Sequence, residues 1–206
     1  MVTGFHSLEQ FDSVGAVLAA SNDLFPKGSV ILHGIKTFSG QRIDDAIVDA
    51  ASVVCIAGTT LSEVFSQVIE GKKEMLKEVD SIVYEDSMGV SAWVDSKRVL
   101  IGNRQLMKNH NIDVPSEDYE NKYVVSGREP IYLANSGELT AMFIVSYNPT
   151  PEISRAVRSL AKNGVRIVIK TTDPNITAEK LAQLFEVDEQ MFRIIPSNLY
   201  LSLIHI

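Results

Sequence analysis

Hydroxyl and carboxyl side chains follow an apolar run in the last third of the chain, where RIVIK leads directly into Thr171, Thr172 and Asp173. A hydroxyl at the carboxyl end of a parallel strand, beside the amides of a helix, can hold an oxygen of a phosphoryl group. The same residues also suit a turn, in which Thr171 caps the turn and Asp173 begins it before Pro174. The sequence leaves both interpretations open.

Glycines end both halves of an alternating stretch, DSMGVSAWVDSKRVLIGN, at residues 86–103. Its apolar residues recur with a period of two on either side of Asp95-Ser96, which predicts a β-hairpin. Gly89 and Gly102 lie at the ends of this hairpin, where the absence of a Cβ atom lets a flat ligand or another backbone come close. A helix is predicted to follow from about residue 104.

The bulk composition excludes several classes of function. The chain has 206 residues and a net charge of -7, and its Lys and Arg residues are spread along the sequence, so we expect no nucleic-acid partner and no direct membrane contact. Cys55 is the single cysteine and the four histidines lack ligand spacing, so we expect no disulfide and no metal site within one chain. No run reaches the ~18 apolar residues of a membrane span, and the first residues lack a signal-peptide core, so the chain as given is expected to be soluble.

The order of the predicted elements changes along the chain. An apolar strand over residues 14–20 precedes a second strand, VILHGI, and two helices, QRIDDAIVDAASVVCIAG and LSEVFSQVIEG. GKKEMLKEVD either extends the second helix or forms a turn. The hairpin then leads to two more strands, IYLAN and ELTAMFIVSY, so the middle of the chain is predicted to contain helices and a mainly antiparallel sheet.

From Pro149 onward a helix, the strand RIVIK, a helix around AEKLAQLF and the strand FRIIP alternate, which is typical of a parallel α/β domain. We therefore predict a domain boundary near residue 147. The strand over residues 165–169 is expected to pair in parallel with the strand over residues 14–20, so that both ends of the chain build one domain.

The sequence SLAKNGVRIVIKTTDPNITA resembles the second half of the phosphorylation domain of P-type cation-transporting ATPases. YEDSMGVSAWVDSKRVLIGNRQLM resembles the nucleotide-binding domain of that family, especially its heavy-metal branch, in which Gly-x-Gly and a later Gly-Asn pair line the adenine pocket. The resemblance covers most of residues 14–198. It implies an α+β nucleotide-binding domain with a mainly antiparallel sheet, inserted in a Rossmann-like α/β domain of the haloacid dehalogenase type.

The resemblance also implies site residues. Those for the nucleotide are Ser62, Glu63, Phe65, Ser87, Gly89, Gly102 and Asn103, and those for the phosphate are Thr171 and Asp173. Two positions depart from the family pattern, because Ser87 stands for the first glycine of Gly-x-Gly and Val64 stands for the histidine of Ser-Glu-His-Pro. Phe65 has a ring that can stack on a purine, although an aromatic residue on a helix is also a common core residue.

The phosphorylated aspartate of the family has no clear counterpart. Alignment of VGAVLAASNDLFPKG without gaps places Ala20 at that position, and a methyl group cannot attack phosphorus. Asp12 would be the nucleophile in another register, but a polar segment precedes it. Asp23 lies three residues beyond the predicted strand end, a displacement that would spoil in-line geometry. We therefore assign no catalytic residue from the sequence.

The resemblance divides residues 1–200 into three segments. Residues 1–28 and 147–200 are expected to be two parts of a phosphorylation domain, and residues 29–146 the nucleotide-binding domain. A downstream Lys and a Gly-Asp-Gly-x-x-Asp magnesium loop do not appear before the sequence stops. Residues 201–206, LSLIHI, correspond to the translation of CTGTCTCTTATACACATC, a transposon end used in sequencing libraries, and we interpret them as an artefact.

The resulting prediction is a cytoplasmic ATP-binding fragment of an integral membrane, P-type ATPase-like cation transporter. Its partners would be the membrane and actuator domains, with ATP bound weakly and magnesium used in an intact relative. The alternative is a non-catalytic regulatory module that binds a nucleotide or a partner, which Ala20, Val64 and Ser87 favour. A free-standing phosphatase of the haloacid dehalogenase class would need an aspartate after the first strand and a magnesium loop.

Overall fold

The computed structural model describes residues 15–195, apart from residues 39, 86 and 126. The strands are β1 (Ala16–Ala20), β2 (Val30–Thr37), β3 (Val79–Glu85), β4 (Gly89–Val94), β5 (Lys97–Gly102), β6 (Arg128–Asn135), β7 (Glu138–Tyr147), β8 (Arg166–Lys170) and β9 (Phe192–Ile195). The helices are α1 (Ser21–Leu24), α2 (Ile43–Ala57), α3 (Ser62–Val68), α4 (Arg104–Asn109), α5 (Glu117–Glu120), α6 (Pro151–Lys162) and α7 (Ala178–Phe185).

The two ends of the described chain form one parallel sheet in the order β1-β8-β9. The register of β1 on β8 runs from Ala16 opposite Arg166 to Ala20 opposite Lys170. This confirms the predicted parallel pairing, although residue 14, included in the predicted first strand, lies outside the described residues. Ile167 and Ile169 of β8 are buried. They belong to the same apolar core as buried residues of α6 and α7.

The middle of the chain forms a six-stranded antiparallel sheet in the order β2-β7-β6-β5-β4-β3. The predicted hairpin is β4 and β5, with Val94 opposite Lys97 at its turn. Strand β3 was not predicted, because the segment before it was interpreted as helix or turn. It is an edge strand that pairs only with β4, and Val83 is 58% exposed, so its apolar pattern is weak.

The two faces of the antiparallel sheet are covered by different helices. Helix α2 begins with Asp44 and Asp45 in its first turn, where carboxylates favour the positive end of the helix dipole, and it stops at Gly58 in a left-handed conformation. Phe65 of the neighbouring α3 packs edge-on against Phe143, with ring centroids 4.9 Å apart. Helix α4 covers the opposite face in a second apolar cluster.

Buried polar contacts fasten the two sheets together. The Tyr147 hydroxyl, at the end of β7, donates to Oδ2 of Asp173 at 2.6 Å, and these residues are only 9% and 2% exposed. The Thr60 hydroxyl donates to the Ser21 hydroxyl at 3.0 Å, which links the α2–α3 connection to α1. In the part of the chain that the structure describes, no helix is long and apolar enough to cross a membrane.

The Tyr147–Asp173 contact predicts a pH-dependent stability. Burial and the adjacent Asp173 carboxylate raise the pKa of Tyr147 well above its ordinary value. Above about pH 10 the unfolded chain loses the Tyr147 proton while the folded chain keeps it, so the unfolded state binds fewer protons and this contribution to stability falls as pH rises. Below pH 10 the contribution is fully present.

We expect Tyr147→Phe to lower the free energy of unfolding by about 1–3 kcal/mol at pH 7, because a buried carboxylate loses a donor. The difference from the unsubstituted chain should narrow as pH rises above about 10, since phenylalanine has no proton to retain. Urea unfolding followed by circular dichroism from pH 7 to pH 11 measures both effects. If the difference in unfolding free energy between the two chains stays constant from pH 7 to pH 11, the pKa of Tyr147 is not raised by folding.

Candidate functional site

A cavity of about 330 Å³ lies at the carboxyl ends of β1 and β8 and is called the strand-end cavity below. Its walls come from both sheets and from the end of α2. The lining residues are Ala20, Ser21, Asn22, Ala57, Gly58, Tyr84, Lys170, Thr171 and Thr172. The lining therefore combines hydroxyl-bearing residues, one lysine and one tyrosine around a space of the size that small ligands occupy.

Ala20 stands at the carboxyl end of β1 and lines this cavity with a methyl group. The backbone amide of Ala20 donates to Oδ2 of Asp23 at 2.7 Å. The Asp23 carboxylate thus folds back on the strand end, and Asp23 is not among the residues that line the strand-end cavity. Asp12, the other candidate nucleophile, lies outside the described residues.

Thr171 and Asp173 form a turn after β8 and have different surroundings. The Thr171 hydroxyl oxygen accepts from the Asp173 amide, and Oδ1 of Asp173 accepts from the Asn175 amide, both at 3.0 Å. Thr171 lines the cavity, whereas Asp173 is buried against Tyr147. Burial raises the pKa of Asp173, opposed by its hydrogen bonds with Tyr147 and the Asn175 amide. A hydroxyl that accepts one hydrogen bond can still donate its own proton, so Thr171 keeps a donor for a ligand.

Ser62 and Glu63 line a second cavity of about 390 Å³, between residues 22–30 and the start of α3. The Ser62 hydroxyl donates to the Val54 carbonyl at 2.6 Å. Glu63 forms an ion pair with Lys27 at 2.8 Å, and this hydrogen-bonded contact, with a second from Gln67, lowers the pKa of Glu63. This second cavity adjoins the strand-end cavity at Asn22, which lines both.

Phe65 lies one turn further along α3 and is fully buried in the apolar core. Its ring packs against Phe143, so protein already covers it. In the structure Phe65 is therefore a core residue, which is one of the two interpretations that the sequence left open.

The Gly89 and Gly102 pair closes the open end of the β4–β5 hairpin, where the two residues lie opposite each other. A Cβ atom on Gly102 would lie 2.1 Å from the Met88 carbonyl oxygen and 2.6 Å from Cδ2 of Leu106. A Cβ atom on Gly89 would lie 2.2 Å from the Ile101 carbonyl oxygen. The absence of side chains is therefore already required by close backbone approach and by the packing of α4.

Asn103 and Ser87 complete this end of the hairpin. Oδ1 of Asn103 accepts from the Leu106 amide and caps α4, and Nδ2 of Asn103 donates to the Ser87 carbonyl at 2.9 Å. Ser87 has a positive φ of 58° in the β3–β4 turn. The predicted nucleotide residues are thus divided, because Ser62 and Glu63 belong to α3 on one face of the sheet and Asn103 begins α4 on the other.

Lys170 and Tyr84 are among the residues of the strand-end cavity that sequence reasoning missed. Lys170 is the last residue of RIVIK and immediately precedes Thr171, so its position at a strand end was available as a signal. Tyr84 belongs to β3, the strand that the sequence did not predict, and its neighbours Val83 and Glu85 gave no indication of a cavity. Among the described residues, no three His, Cys, Asp or Glu side chains are grouped so that they could hold a metal ion.

The chain is similar in sequence to part of several metal-transporting ATPases. No family model matches the chain. Copper-transporting ATPase 2 of Rhizobium meliloti (strain 1021) is 26% identical over 93% of the chain and 23% of its own length. The silver exporting P-type ATPase of Salmonella typhimurium is 23% identical over 96% of the chain and 24% of its own length. The chain thus spans about a quarter of the length of these curated relatives.

A solved structure supports the fold. The catalytic domain of the CPx-ATPase CopB-B, whose structures record conformational changes upon nucleotide binding, has a TM-score of 0.55 and 14% identity over 95% of this chain and 66% of that chain. The described fold, a six-stranded antiparallel sheet inserted into a parallel α/β sheet, is therefore the fold of that catalytic domain. The chain is a homologue of part of the heavy-metal P-type ATPases, which confirms the resemblance found in the sequence.

The glycine pair predicts a sharp difference between two glycine-to-alanine variants. We expect Gly102→Ala to lower the free energy of unfolding by about 1–3 kcal/mol, because the new methyl group overlaps the Met88 carbonyl and Leu106. Gly34→Ala is the matched control, since a Cβ atom on Gly34 in β2 meets nothing within 4 Å. Urea unfolding should place this control within about 0.5 kcal/mol of the unsubstituted chain. Equal stability of the two variants would contradict the packing explanation.

Proposed function

We propose that this chain is the ATP-binding headpiece of a P-type ATPase-like cation transporter and that it binds the nucleotide without becoming phosphorylated. The observation that carries the proposal is the strand-end cavity, which lies between the two sheets and is lined from both. The homology to heavy-metal P-type ATPases supports the ligand class. In the full-length protein, membrane and actuator domains would couple ATP hydrolysis to cation transport.

The phosphate end of the nucleotide would lie against Lys170, Thr171 and Thr172. The Thr171 hydroxyl can donate to a phosphoryl oxygen, and the Lys170 ammonium group supplies positive charge at the same strand end. Local charge of this kind is what an anionic ligand needs in a chain whose net charge is -7. Asp173 would act at a distance from the ligand, because its amide and carboxylate fix the turn that presents Thr171.

We expect no covalent phosphoryl transfer to this chain. An acyl-phosphate requires a carboxylate in line with the γ-phosphate. Ala20 occupies the strand end, and the Asp23 carboxylate accepts a hydrogen bond from the Ala20 amide instead of lining the cavity. The lining of the cavity also contains no carboxylate, so its described residues do not fit a magnesium site.

A non-catalytic regulatory module is the second candidate. Ala20 is the observation that favours it, since a chain that cannot accept a phosphoryl group can still bind a nucleotide or a partner domain. The first candidate is part of a transporter that hydrolyses ATP, whereas the second regulates without turnover.

Nucleotide binding is tested by substituting Thr171. We expect weak, near-millimolar ATP binding that shifts the amide NMR signals of residues 20–22 and 170–172. Thr171→Val should weaken binding about tenfold or more, because a hydrogen bond to a charged group is lost, whereas Thr171→Ser keeps the hydroxyl and should retain binding. Thr37→Ala, in β2 and outside the cavity lining, is the control. ATP shifts confined to another surface would refute the location.

Phosphorylation is tested by labelling. Incubation with γ-labelled ATP and magnesium, followed by an acid quench, should leave no hydroxylamine-sensitive label on the chain. The physical reason is that Ala20 ends β1 and that no carboxylate-bearing residue lines the strand-end cavity. A label that disappears in Asp23→Asn or Asp12→Asn would show that one of these carboxylates is the nucleophile and that Ala20 does not mark its position.

A further inference from the structure

Tyr84 is the aromatic residue in the lining of the strand-end cavity. It belongs to the edge strand β3, and 36% of it is exposed. Its hydroxyl donates to the Ala57 carbonyl at 3.4 Å, a long contact that connects the far edge of the ring to the end of α2. The ring is thus tethered at one end and partly open to the cavity.

Other residues in the lining of the cavity have different chemistry. Lys170, Thr171 and Thr172 come from the parallel sheet, whereas Tyr84 comes from the antiparallel sheet. A cavity lining that combines a lysine, two threonines and an aromatic residue matches a ligand that carries both phosphates and a flat ring. Aromatic side chains stack on nucleobases with little dependence on the base, because every base has a π face.

The residues predicted for the base from the sequence are engaged with protein. Phe65 is fully buried against Phe143. The space beside Gly102 on its Cβ side is filled by Leu106 and the Met88 carbonyl. The Tyr84 ring, in contrast, is partly exposed and lines the same cavity as the hydroxyls of the parallel sheet.

We propose that Tyr84 is the residue on which the base of the bound nucleotide stacks. This inference rests on the proposed function, because it assumes that a nucleotide enters the strand-end cavity. Stacking needs the ring and not the hydroxyl, which is directed to the Ala57 carbonyl. Tyr84 therefore contributes affinity for the base without reading its hydrogen-bonding edge.

The test compares ATP with tripolyphosphate, which carries the phosphates but no base, by NMR titration of the full chain. Tyr84→Ala should weaken ATP binding about tenfold and leave tripolyphosphate binding unchanged. Tyr84→Phe keeps the ring and should bind ATP like the unsubstituted chain. Trp93→Ala is the matched control, because Trp93 is an exposed aromatic residue on the neighbouring strand β4, is 48% exposed, and does not line the cavity.

The outcomes separate this inference from the proposed function. If the unsubstituted chain binds ATP and Tyr84→Ala binds it equally well, the stacking role is refuted while the nucleotide site stands. If the unsubstituted chain binds no ATP, the proposed nucleotide site and the stacking role of Tyr84 are both refuted. If Tyr84→Ala weakens ATP and tripolyphosphate binding by the same factor, the ring has only a structural role, and the stacking proposal is refuted.

Discussion

The parallel pairing of β1 with β8 is the constraint on which the rest of the structure depends. These strands lie near the two ends of the described chain, and everything between β2 and β7 is inserted between them. Both connections between the sheets must then run side by side, and the Asn148 amide donates to the Ser29 carbonyl at 2.7 Å where they meet. Because the carboxyl ends of β1 and β8 point toward the inserted sheet, the strand-end cavity forms at that junction.

The Tyr147–Asp173 hydrogen bond then determines how the junction is held. An aspartate that is 2% exposed would be costly without partners, and here it accepts from the Tyr147 hydroxyl and from the Asn175 amide. Most of the ion pairs at the surface are weaker constraints. Lys27 and Glu63, with side chains 77% and 38% exposed, join the connection to α3 in a contact that water screens. The buried hydrogen bond from the Tyr147 hydroxyl to the Asp173 carboxylate is therefore the more important contact between the two sheets.

The sequence predicted much of this fold for identifiable reasons. Alternation in GVSAWV and KRVLIG specifies a hairpin, and the β-branched run RIVIK specifies a buried parallel strand, because one face or both faces of each strand are covered. Strand β3 was missed because an edge strand has exposed apolar residues such as Val83 and therefore lacks a clear period. The same limit applies to Tyr84, since the residues that share a cavity with it are distant in sequence.

The candidate site shows what a residue type alone leaves undetermined. A glycine permits the close approach of either a ligand or another part of the backbone. At Gly102 the space is taken by the Met88 carbonyl and the Leu106 side chain. Thr171 and Asp173 form the turn that was one of their two interpretations, yet the turn leaves the Thr171 hydroxyl at the cavity. A ligand that contacts Thr171 on one sheet and Tyr84 on the other would bind more tightly when the sheets are held together. By linkage it would stabilise that arrangement by the difference in affinity, even in a chain with Ala20 in place of a nucleophile.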